Sequence, residues 1–144
     1  MLSTAYRQTS NLDDARIAAD PDGRFYSRKK VSRLDAEALR DRALAASGVL
    51  DRTLFGSAVG VVEDDSGQVV AAPGVQRRSL YLLQRRTQPM ALMQAFDAPV
   101  METNCDVRPS STVATQSLML MNGEFWLGQA AALADRAHRE PTAA

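Results

Sequence analysis

Three carboxylates, Asp97, Glu102 and Asp106, fall in a stretch of the chain that follows neither a helical nor a strand period. Loops set on a rigid scaffold often carry sites, and two carboxylates facing each other across a cleft are the acid/base pair of a glycosidase. These three are the candidates for catalysis, in a site that residues upstream would complete. A second group is basic: Arg24, Arg28, Lys29, Lys30 and Arg33, interleaved with Phe25 and Tyr26. Cations beside aromatic rings can neutralise phosphates and stack bases. Lys plus Arg, however, equals Asp plus Glu at 17 each, so no net field draws the chain towards a polyanion. A solvated face or internal Arg–carboxylate pairing is the plainer reading, and no nucleic-acid partner is assigned.

Other reactive side chains read as structural. The one histidine, His138, stands in the last turn of an expected helix, where an imidazolium suits the negative end of the helix dipole. Cys105 lies beside Asp106, an acidic neighbour and the opposite of the electropositive surroundings a nucleophilic thiolate needs. Asp20-Pro21-Asp22-Gly23 resembles a piece of a calcium loop, but the remaining oxygen ligands and the terminal glutamate do not follow; it reads as a turn. Glu63-Asp64-Asp65 reads as a solvated hairpin tip. Met90, Met93, Met119 and Met121 sit where a core needs adaptable packing. No metal site and no cofactor are expected within this chain.

The elements that would position these residues follow from periodicity. Residues 1–10 already carry apolar Leu2, Ala5 and Tyr6 with no cap before them, which suggests a truncated start. Ser32 or Asp35 caps a helix over Leu34–Ser47, whose Leu39, Ala43, Ala46 and Leu50 recur at helical spacing, and Gly48 is placed to stop it. Ala58–Val62 and Gln68–Val70 form a hairpin. Ser79–Gln84, apolar on both parities, is a third strand candidate. Pro89 starts a short helix, Met90–Phe96. The longest helix runs Thr112–His138, with Leu118, Met121, Phe125, Gln129 and Ala132 on one face, widened by Trp126, Leu127 and Leu133. The expected fold is α+β, mainly α-helical with a small antiparallel β-sheet: two main helices packed face to face and the sheet (residues 56–86) at one side. Residues 1–144 form a single domain, with 140–144 a frayed tail.

Bulk properties set outer limits. With 144 residues, 45% hydrophobic and 24% charged, the chain has ordinary globular composition and enough length for one modest core. A single cysteine excludes an internal disulfide framework. No apolar run reaches the roughly 18 residues of a membrane-spanning helix, and the first residues lack a signal-peptide layout. Basic residues are nearly all Arg, the better donor for internal bidentate contacts.

Six ordered segments carry a resemblance: Tyr6-Arg7-Gln8-Thr9-Ser10, Asp20-Pro21-Asp22, Arg33 to Asp41, Arg77-Arg78-Ser79-Leu80-Tyr81, Phe96-Asp97-Ala98-Pro99 and Ser111 to Asn122. Together they resemble the C-terminal part of the planctomycete-type domain of unknown function 1553, the planctomycete PSD domain. The resemblance implies a portion of a larger domain in a long, exported bacterial protein at the periplasm or cell surface. Its partners would be upstream domains of the same polypeptide, a cytochrome-c-like one among them, or another protein. It supplies no catalytic residues. A non-catalytic structural or interaction module is therefore expected; the rival expectation is a carbohydrate-active enzyme domain built on Asp97, Glu102 and Asp106.

Overall fold

The computed structural model describes residues 3–4, 6–11, 13–29, 31–99 and 104–140. Lys30, Glu102, Leu2, Ala5 and the tail 141–144 lie outside the described residues. The chain divides into two compact units, Met1–Arg33 and Leu34–Ala144.

The first unit holds one short helix, α1 (Asp14–Ala19), capped by the Asp13 side chain, which accepts from Arg16 N–H at 2.7 Å. Beyond it the Asp20-Pro21-Asp22-Gly23 turn closes with Gly23 N–H donating to the Asp20 carbonyl at 3.1 Å, and Gly23 adopts φ 61°. The turn is built on Asp20. Its buried carboxylate accepts from Arg24 N–H (2.7 Å), Phe25 N–H (3.0 Å) and the Ser27 hydroxyl (2.9 Å). Burial pushes this carboxyl up, but those hydrogen bonds outweigh it and hold the pKa below the ordinary aspartate value.

The second unit carries the core. Helix α2 (Ala36–Ser47) ends at Gly48, which takes φ 81° and sends its N–H back to the Ala45 carbonyl. A left-handed residue there costs glycine nothing. The buried positions of α2 are Ala36, Arg40, Leu44 and Ser47, a stripe rotated by one residue from Leu39, Ala43 and Ala46. The cause is Arg40. Its side chain has no exposed surface, and its guanidinium donates to the carbonyls of Val75 (2.9 Å) and Arg77 (2.9 Å) and to Ser79 Oγ (3.4 Å). Periodicity counts only apolar residues, so it could not place a buried arginine.

Strands β1 (Val61–Glu63) and β2 (Val69–Ala71) form a two-stranded antiparallel sheet in the register Val61–Ala71, Val62–Val70, Glu63–Val69. The acidic run sits at its tip, where Asp64 Oδ1 accepts from Ser66 N–H, Ser66 Oγ and Gln68 N–H at 2.7–2.9 Å. The segment expected as a third strand is not one. Ser79–Tyr81 is a single 3-10 turn, because the Asp41 carboxylate on α2 takes both Ser79 N–H and Ser79 Oγ at 2.7 Å and bends the chain there. Just past it, Leu82 makes a parallel bridge with Val59.

Helix α3 (Ala91–Ala95) buries Leu92 and Met93. With Ala36, Leu82, Met90 and Phe96 these make the core, and Met119, Phe125 and Trp126 pack against it. The expected continuous helix over Thr112–His138 is two: α4 (Ala114–Asn122) and α5 (Glu124–Arg139). Gly123 breaks it with φ −67° and ψ 129°, its N–H on the Met119 carbonyl at 2.8 Å. A Cβ at this position would stand 2.6 Å from the Met119 oxygen, so the close approach requires glycine. The fold class is α+β and mainly helical, as the sequence implied.

Candidate interaction surface

The inner face of α5 is Phe125, Gln129, Ala132 and Arg136, half-buried and spaced four, three and four. It joins α2 by polar contacts. Ser47 Oγ donates to Gln129 Oε1 at 2.6 Å, and Arg136 Nη1 donates to the Ala46 carbonyl at 3.1 Å, so α5 caps the C-terminus of α2. The Arg40 guanidinium lies 5.5 Å from the centre of the Phe125 ring. The face expected to pack was therefore half right. Phe125, Gln129 and Ala132 do pack, whereas Leu118 and Met121 are 56% and 69% exposed, because the break at Gly123 turns α4 out of phase with α5.

The outer face of α5 is unusual for a solvent-exposed helix. Leu127, Ala130, Ala134 and Ala137 recur at three, four and three, flanked by Ala131 and Leu133, and all six are exposed. From Phe125 to Ala134 there is no charged side chain. Surface helices ordinarily turn charge outward. Alanines alone would follow from helix propensity, but Leu127 and Leu133, 55% and 46% exposed, are not explained that way. Exposed Leu118, Leu120 and Met121 add apolar surface on the neighbouring α4. No helix among the described residues is long and apolar enough to cross a membrane.

A family model matches residues 1–143. The chain belongs to the PSD1 family, described as proteins of unknown function (DUF1553). No curated protein and no solved structure matches it.

The residues of this PSD1-family chain that could do chemistry are placed as follows. Asp97 takes φ 58° just past α3, a left-handed position that a carboxamide or carboxylate side chain tolerates. Its two oxygens accept from Ser111 N–H (2.7 Å) and Ser111 Oγ (2.9 and 3.0 Å), tying the end of α3 to the start of α4. Gln116 reinforces that joint, donating to the Ala95 and Ser111 carbonyls at 2.9 and 3.2 Å. Asp106 is exposed, and Glu102 is outside the described residues. Cys105 is exposed, its thiol 3.4 Å from the Val107 carbonyl. Of the basic set, Arg28 donates to the Pro21 carbonyl at 2.8 Å and braces the Asp20 turn. Arg24 and Lys29 are exposed and Arg33 is half-buried. Phe25 and Tyr26 beside them are exposed, Tyr26 at φ 56°. Among the described residues no three His, Cys, Asp or Glu side chains are grouped to hold a metal ion.

The expectation that arginines brace the chain internally holds, but which ones do so, and that backbone carbonyls are their partners, was not legible in the sequence. Arg77 donates to the Phe55 (2.6 Å), Thr53 (3.1 Å) and Ser57 (3.2 Å) carbonyls and stacks 3.9 Å over Tyr81. With Arg40 and Arg136 it closes backbone carbonyls that no strand or helix satisfies. The strong bias to Arg over Lys was the available signal.

Proposed function

We propose that the chain is a non-catalytic interaction module of a larger exported bacterial multidomain protein, and that α5 is its contact element. The observation that carries this reading is the outward stripe Leu127, Ala130, Ala134 and Ala137 with Leu133, an apolar helix face turned to solvent. Exposed apolar surface of this kind serves to meet another protein surface. The polar features of the chain support a structural role: the Asp97 carboxylate holds Ser111, and Arg40, Arg77 and Arg136 hold backbone carbonyls. A place at the periplasm or cell surface, beside upstream domains of the same polypeptide, completes the proposal and rests on the family resemblance.

The test is binding of anilinonaphthalene sulfonate to the full chain at neutral pH. Wild type should bind the dye in its native state, and the doubly substituted chain Ala130→Glu/Ala134→Glu should lose most of that signal at unchanged helicity. A wild-type chain that neither binds dye nor associates would sink the reading.

A further inference from the structure

We infer that the outer face of α5 pairs with the same face of a second copy of this chain, antiparallel, about a two-fold axis near Ala131. The inference rests on reading that face as a docking surface and names its occupant.

Self-complementarity is the first argument. Around a two-fold near the middle of the stripe, Leu127 meets Ala137 of the second copy and Ala130 meets Ala134 of the second copy. Large therefore faces small at each end, and small faces small at the centre, where two helix axes can approach to about 8 Å. A two-fold interface requires this match of a surface to itself.

Charge decides the direction. Glu124, Ala131 and His138 are spaced seven and seven along α5, so they share one rim beside the apolar stripe. Antiparallel pairing sets Glu124 of each copy beside His138 of the other, twice in the dimer, and an imidazole N–H donates to a carboxylate in either protonation state. Parallel pairing about a two-fold would put this rim of the two copies on opposite sides of the interface and leave Glu124 without His138. The antiparallel helix dipoles add in the same sense. Between these ends the rim residue is Ala131, which leaves no charge to bury at the axis.

The contact is small. A 16-residue helix is about 24 Å long and about 10 Å across, which gives a few hundred Å² per copy against roughly 800 Å² in a standard interface. The dimer is therefore weak and concentration-dependent, with dissociation in the micromolar range.

Sedimentation equilibrium of the full chain over about three decades of micromolar concentration tests it. Wild type should pass from monomer to dimer, and Ala130→Glu/Ala134→Glu should raise the dissociation constant at least about tenfold. Glu124→Lys and His138→Glu should each weaken the dimer about three- to tenfold, and the two together should restore it, with circular dichroism confirming that α5 stays helical in every variant. A dimer that Ala130→Glu/Ala134→Glu leaves intact, or that the double charge reversal does not restore, overturns the antiparallel pairing. A wild type that binds the dye through α5 yet stays monomeric overturns self-pairing and leaves the docking reading standing. One that is monomeric and silent to the dye overturns both.

Discussion

The Arg40 guanidinium donates to the Val75 carbonyl at 2.9 Å from a side chain with no exposed surface. Desolvation lowers its pKa, and the nearest Asp41 oxygen, 3.9 Å away, offsets that only in part. The charge is held mainly by carbonyl dipoles of the segment that follows β2. One side chain thus fixes α2, the turn at Ser79 and the Phe125 edge of α5 at once.

Replacing Arg40 with Ala should cost about 3–5 kcal/mol, since it opens a cavity under a fully buried side chain and strands two part-buried carbonyls. Against a total of about 5–15 kcal/mol for a domain this is severe. Arg40→Lys should fall between, because an ammonium cannot span both carbonyls as a planar fork does. Urea unfolding followed by circular dichroism reads both; a loss under about 1 kcal/mol for the alanine variant would mean the carbonyls find other donors.

Asp97 should behave as an anchor. Asp97→Ala removes both acceptors for Ser111 and leaves a residue with a Cβ but no side-chain compensation at φ 58°, a cost of about 2–3 kcal/mol. Asp97→Asn keeps one acceptor and tolerates the conformation, so it should cost less than half as much. Equal losses in the two variants would contradict the anchor.

Gly123→Ala should destabilise by about 1–3 kcal/mol, because the methyl meets the Met119 carbonyl oxygen and the backbone must move. The same change in an exposed helix interior would normally stabilise. A gain in stability and helicity would show that α4 and α5 readily merge into one helix.

Acid should destabilise the chain below about pH 4. Hydrogen bonds from Thr53 depress Asp51, and those from Ser66 and Gln68 depress Asp64. For Asp20 and Glu37 burial pulls upward, but amide, hydroxyl and Arg108 contacts win. Each pKa lies lower folded than at its ordinary value, 3.8 for aspartate or 4.5 for glutamate. Their stabilisation is thus complete above those values and is lost as pH falls through the folded ones. Urea midpoints should be flat from pH 7 to 5 and drop by pH 3; a flat profile to pH 3 would mean these carboxylates gain nothing on folding.

Much of this was legible locally. The Gly48 stop, the Asp20 turn and the Asp64 hairpin tip are each written in neighbouring residues, where one side chain or one φ decides the outcome. The candidate carboxylates were readable as residues but not as partners: nothing near Asp97 in the chain names Ser111, 14 positions on.

The family, the mainly helical α+β class and some element ends, the Gly48 stop and the hairpin tip among them, could be read from the chain alone, because caps and turns act over a few residues; the break at Gly123 and the short helix Asp14–Ala19 could not. Which faces lie inside was set by contacts between residues far apart in the chain. Arg40 went into the core because carbonyls from Val75 and Arg77, more than thirty residues away, could satisfy it. Ser79 became a turn because Asp41 reached it. And α5 gave α2 its Gln129 and Arg136 side, leaving Leu127, Leu133 and every alanine but Ala132 outward, since burial depends on what each face meets and not only on how oily it is.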